Sequence, residues 1–263
     1  MYILMYYIIL CVILCIILIL CVISVDHREN YSDSTDSVVD IDSLVYDKKE
    51  HFPDKKNRVI ETFQLPLPLQ TFQGPSKNSS AATKKELKYI SQLTHKRNAE
   101  HSKLAAEIEG GGTLKYFIKF AGTNGLMYDQ VHLKKITKDV NTLAYLIKSY
   151  YNRPRPYQLG FLLNYNINPI AVAKTSSYPC ERTLLAKVLA YQLSYNNQNY
   201  KDQLHAIAKQ VELSRYYAGL NYPSDTMASL RIADILRDKM KYLEASTSTS
   251  TSTASAASSA AST

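Results

Sequence analysis

SRYYAGLNYPSD, Ser214 to Asp225, is the stretch on which the reading of this chain turns. It holds a Ser-Arg pair on a helical run, a small residue at Gly219, an aromatic-proline turn, and a carboxylate ten residues after Arg215. That order sets one cation and one acid on the same pocket wall.

Two upstream segments share its character: IKSYYNRPRPY, Ile147 to Tyr157, and SSYPCERT, Ser176 to Thr183. Lys148 closes a helix, and Arg155 follows seven residues later in an Arg-Pro-Arg-Pro loop. The prolines stiffen that loop and limit the entropy lost on holding a guanidinium in place. A basic residue at a helix end is also what the helix dipole favours, so Lys148 alone is unspecific. Arg153 reads as a solvated charge. Guanidinium forks suit tetrahedral oxyanions because two donors meet two oxygens, each charge-assisted bond contributing about 1.5–3 kcal/mol. Lys148, Arg155 and Arg215 brought together would repel one another, which makes an anion trap.

In order and spacing the three segments resemble the signature motifs of the type 2 phosphatidic acid phosphatase superfamily, which includes class A acid phosphatases and vanadium haloperoxidases. The first motif of that family is Lys, six residues, Arg-Pro, matched by Lys148, Arg155 and Pro156. By resemblance both cations contact phosphate oxygens, as does Arg215. The second reads Ser-Tyr-Pro-Ser-Gly-His-Thr, of which Ser177, Tyr178, Pro179 and Thr183 remain, with Cys180, Glu181 and Arg182 between them. The third is Ser-Arg, five residues, His, three residues, Asp. Here Asn221 takes the attacking position and Asp225 the orienting one.

Both histidines the family uses are therefore replaced. Arg182, at the general-acid position, stays charged at physiological pH and cannot shuttle a proton. Asn221 offers an amide nitrogen delocalised into its carbonyl, a very poor nucleophile in a scheme that needs base and orienter. Loss of one member of a catalytic unit commonly costs on the order of 10⁴–10⁶ in turnover. The same substitution removes the imidazole that ligates vanadate in the haloperoxidases. Glu181 replaces a glycine and is expected to turn away or pair with Arg182. Cys180 reads as a small stand-in for serine at the phosphate; the alternative is a thiolate nucleophile tuned by Arg182 and Glu181. His205 lies ten residues before Arg215, about 15 Å along a helix, away from the chemistry.

Composition frames the rest. The chain has 263 residues, a net charge of +8 and 46% hydrophobic residues, many of them in residues 1–25. Residues 2–25 carry no charge before Asp26 and meet the roughly 20-residue requirement for a transmembrane helix. They lack the basic start and small-residue cleavage site of a secretory signal, so they read as an uncleaved anchor. Asn30 and Asn78 begin glycosylation sequons, leaning towards a lumenal or extracellular body. Residues 26–83, acidic and Ser-rich, then basic and Pro-rich, read as an extended linker. Residues 245–263 are Ser, Thr and Ala only, a tail with nothing to bury. A diffuse positive charge implies no specific nucleic-acid partner. Four cysteines, three of them in the apolar N-terminus, imply neither a disulfide framework nor a metal site.

From about Lys84 the periodicity turns helical, with Leu87, Ile90, Leu93, then Leu104 and Ile108 at three- and four-residue steps, and further helices are expected over 131–151, 181–195, 201–219 and 223–243 of a domain spanning 84–244. Gly110, Gly111 and Gly112 read as a helix terminator rather than a phosphate loop. The expectation is an all-α domain of the acid phosphatase and haloperoxidase type, tethered by one N-terminal span. It binds a phosphate-bearing small molecule, lipid headgroup or protein through Lys148, Arg155, Arg215, Arg182 and Cys180, with no cofactor. The alternatives are an active phosphomonoesterase or lipid phosphatase using Cys180, and a structural virion or membrane-surface protein whose pocket is a fossil.

Overall fold

The computed structural model describes residues 40–46 and 73–240. The expected anchor over 2–25, the sequon at Asn30, the Ser/Thr/Ala tail and most of the linker lie outside the described residues. Among the described residues no helix is long and apolar enough to cross a membrane. The described body is all-helical.

Helix α1 spans Ala81–His95, α2 Ala99–Glu107, α3 Thr113–Thr123 and α4 Gln130–Tyr151. A short α5, Pro156–Leu162, is followed by α6, Glu181–Asn196, and α7, Lys201–Tyr217. Residues 223–240 form α8. Several starts have a local cause. Ser80 caps α1, and the Asp129 carboxylate caps α4 by accepting from the amides of Val131 and His132. Pro156 occupies the first turn of α5, where a missing amide costs nothing.

The main core forms where α3, α4, α6, α7 and α8 meet. Leu133, Ile136, Val140, Leu143 and Ile147 make the buried stripe of α4 at three- and four-residue steps. In α6 the buried set is Thr183, Leu184, Leu185, Ala186, Val188, Leu189, Ala190, Leu193 and Ser194, so this helix is enclosed on most sides and packs against α3, α4 and α7. It is the axis on which the motif segments are mounted.

The glycine triplet ends the α2 run as expected: Gly111, at φ +84°, leaves helical geometry, so the π-helical turn over Ile108–Gly112 is a kink between two helices, α2 and α3. A Cβ on Gly112 would collide with the Glu107 carbonyl oxygen. Two expectations change. The linker is not extended throughout. Residues 41–46 fold onto the body, with Tyr46 donating from its amide to the Asn152 carbonyl at 2.9 Å and from its hydroxyl to the Ala173 carbonyl at 2.6 Å. Asn78 is buried and donates to the carbonyls of Ile41 and Leu44, both at 2.9 Å, which takes it out of use as a glycan acceptor.

Candidate functional site

The three motif segments are sewn together by their own backbones. The Ser177 amide donates to the Arg153 carbonyl at 3.0 Å and the Cys180 amide to the Asp225 carbonyl at 3.2 Å. Arg155 donates through Nη1 to the Leu220 carbonyl at 2.8 Å, tying the first segment to the third. At the end of α7, Gly219 N–H donates to the Tyr216 carbonyl at 3.0 Å and Leu220 N–H to the Arg215 carbonyl at 3.2 Å. That is a Schellman ending, which glycine permits at φ +70°. It stops the helix just beyond Arg215 and turns the chain so that Asn221 follows onto the same wall.

These segments enclose a cavity of about 600 Å³ whose lining includes Lys148, Arg155, Lys174, Arg182, Arg215 and Asn221. Two carboxylates, Glu109 and Glu181, line it as well. Lys148 is buried and donates to the carbonyls of Ser176 and Ser177. Burial, and then the charge of Arg155, bring its pKa down to about 7. Arg155 is held by the Thr175 carbonyl and hydroxyl as well as by Leu220. Burial and the neighbouring Arg215 lower its pKa too. Carbonyls orient these cations without neutralising them. Among the described residues neither Lys148 nor Arg155 makes an ion pair with a carboxylate.

Arg215 is 2% exposed. Its Nη2 donates to Glu109 Oε2 at 2.7 Å, while Nε and Nη1 have no partner among the described residues. Unsatisfied buried donors on a charged group are expensive, of order 1–3 kcal/mol each or more, and ask for an explanation. Arg182 pairs with Glu181 at 3.1 Å, as expected, and its Nη2 donates to the Glu109 carbonyl at 3.2 Å.

The position where the family places its attacking histidine is occupied by an amide whose hydrogens are spent. Asn221 Nδ2 donates to the Ser177 carbonyl at 2.7 Å and to Asp225 Oδ2 at 3.3 Å. Both partners are acceptors, which fixes the amide orientation and leaves Oδ1 as its other polar atom. An amide oxygen can accept from a ligand hydroxyl but cannot attack phosphorus. Nor does this donor set fit vanadate, which needs an imidazole here.

Two side chains depart from expectation. Cys180 is buried as the N-cap residue of α6, its thiol accepting from the Thr183 hydroxyl at 3.2 Å, and it is not on the cavity wall. Placing it with the phosphate-binding groups is corrected by its absence from the cavity lining. Arg153 is not a solvated charge. It is buried, bonded to Asp225 Oδ1 at 2.6 Å and Glu86 Oε2 at 3.4 Å, with its guanidinium 3.7 Å above the Tyr222 ring. Asp225 thus lies behind Asn221, off the cavity lining, and its first partner is an arginine.

Glu109, Gly110, Gly111, Lys174 and Thr175 line the cavity with no motif to announce them. His205 lies in a separate cavity with Tyr191 and Arg237, its Nδ1 3.1 Å from Lys187 Nζ.

No protein-family model matches the chain, and no curated protein matches it. Among solved structures it is similar to a transmembrane PAP2-type phosphatidylglycerolphosphate phosphatase from Bacillus subtilis, at 18% identity and a TM-score of 0.48, covering 64% of this chain and 89% of that one. It is also similar to a bacterial vanadium-dependent iodoperoxidase, at 13% identity and a TM-score of 0.44, covering 65% of this chain and 50% of that one. These likenesses concern the backbone path and assign no role to any residue here.

Proposed function

We propose that this chain is a membrane-tethered domain that binds a phosphate-bearing ligand in the Lys148, Arg155, Arg182 and Arg215 cavity, without phosphohistidine chemistry. The observation that carries this reading is a buried guanidinium, Arg215, with two N–H groups unpartnered among the described residues, beside two cations held only by neutral carbonyls and a hydroxyl. The cations of the lining outnumber its two carboxylates, Glu109 and Glu181, and an entering anion offsets that excess. The tether rests on the uncharged run over residues 2–25.

Turnover by the family's route lacks both of its proton-handling groups, since Asn221 is no nucleophile and Arg182 no acid. A thiolate route through Cys180 has no approach to the ligand, because that thiol is buried off the cavity wall. The ligand is a phosphorylated small molecule, a lipid headgroup or a phosphoprotein; the cavity chemistry is common to all three. Isothermal titration of the full chain in detergent with inorganic phosphate tests the reading. Saturable binding is expected, weakened at least about tenfold in Arg215→Met, the loss of one charge-assisted pair. A phosphate affinity untouched by Arg215→Met overturns it.

A further inference from the structure

The π-helical turn at Ile108–Gly112 puts one residue across the cavity's cations. Glu109 meets Arg215 through its carboxylate and Arg182 through its backbone carbonyl. Bidentate capture of an oxyanion uses adjacent N–H groups of a guanidinium, and Nη2 belongs to both such pairs. The carboxylate therefore occupies the nitrogen that an entering phosphate would most need. It is also the outer partner: the Glu109 side chain is 27% exposed and that of Arg215 only 2%.

The turn is built to let go. Gly110 and Gly111 have open space where a Cβ would stand, and Gly111 already has φ +84°. Three successive glycines leave the backbone free to rearrange without dragging side chains through neighbours. Burial opposes ionisation of Glu109, but the guanidiniums of Arg215, Arg182 and Arg155 outweigh it and hold its pKa below the ordinary value. The carboxylate is thus an anion already seated among these cations.

We infer that Glu109 is a displaceable counter-anion covering the phosphate seat, so that every entering anion binds against it. This rests on the phosphate-binding reading above. An entering monoanion replaces one negative charge at Arg215. A dianion brings a second charge to Lys148 and Arg155, so those two cations, and not Glu109, favour a dianionic group over a monoanionic one. When such a group enters, the turn swings outward and Arg215 Nε, Nη1 and Nη2 become available together.

The test titrates the full chain and Glu109→Gln with inorganic phosphate and with dimethyl phosphate, a monoanion. In Glu109→Gln the dissociation constants of phosphate and of dimethyl phosphate should each fall about tenfold, as expected for removing one charged competitor that both must displace. Equal or weaker phosphate binding by Glu109→Gln, with Arg215-dependent binding intact in the unmodified chain, overturns this inference alone. Absence of Arg215-dependent binding in both chains overturns the functional reading and this inference with it. Hydrogen exchange in the unmodified chain gives a check that needs no folded variant. Saturating phosphate should speed exchange of the amides at 108–112; slower or unchanged exchange there contradicts the swing.

Discussion

Two buried arginines, Arg153 and Arg215, differ in how the fold answers their charge. Arg153 is enclosed by Asp225, Glu86 and the face of Tyr222. Burial works against its charge, but Asp225, Tyr222 and Glu86 together push its pKa up. Arg215 has a single carboxylate, on a glycine turn at the cavity edge, and two N–H groups with no partner among the described residues. The first charge is answered in full from within the fold; the second is answered in part. Burial alone therefore does not distinguish the two cations, whereas the completeness of their compensation does.

Substitution of the two arginines should separate these roles most sharply. Arg153→Met leaves Asp225 and Glu86 without their cation, and breaking such a buried pair costs about 3–5 kcal/mol. Urea unfolding should show that loss for Arg153→Met and a much smaller one for Arg215→Met, with phosphate binding failing only in the latter. Equal destabilisation by both would erase the distinction. Gly112→Ala should come next, at about 1–3 kcal/mol, because its Cβ meets the Glu107 carbonyl oxygen and the π-helical turn must shift.

Lys148 sharpens the comparison through pH. Its pKa is about 7 in the folded chain against 10.5 as an ordinary lysine. A base with a lowered folded pKa penalises folding fully below pH 7, and the penalty fades as pH rises from about 7 to 10.5. A bound anion favours charged Lys148, so affinity for sulfate, which does not titrate in this range, should fall up to about tenfold per pH unit above 7. Lys148→Met should flatten that dependence; an equally steep profile in the variant would assign it elsewhere. The smallest effect is expected at Arg182, whose ion pair with Glu181 has both side chains about a quarter exposed. Arg182→Gln should change stability by less than about 1 kcal/mol, while phosphate affinity falls a few-fold.

The sequence carried the frame of this site because its cations sit in short segments with fixed spacing. Lys148, Arg155 and Arg215 line one cavity, and α4, α6, α7 and α8 fall close to where helices were expected, the stretch beyond residue 240 aside. What escaped was set by long-range contact. Arg153 looked solvated because its partners, Glu86 and Asp225, are 67 and 72 residues away along the chain. Glu109 was invisible because three glycines announce the helix stop that Gly111 makes, but not that the kink carries a carboxylate to a buried arginine 106 residues away. Cys180 occupies a motif position, yet its backbone caps α6 while its thiol turns to Thr183. The chemistry at Asn221 was legible from its side chain alone; its two hydrogen-bond partners explain why the amide faces as it does.

The central claim is that the cavity keeps its affinity for phosphate while its chemistry is gone. Hydrolysis of a chromogenic phosphate monoester by the full chain in detergent, run from acid to neutral pH, tests it most directly. The account predicts no turnover above that of Arg215→Met, at substrate concentrations that saturate phosphate binding. Sustained turnover abolished by Arg215→Met would contradict it, and would mean that this cavity performs phosphoryl transfer with neither of the family's histidines.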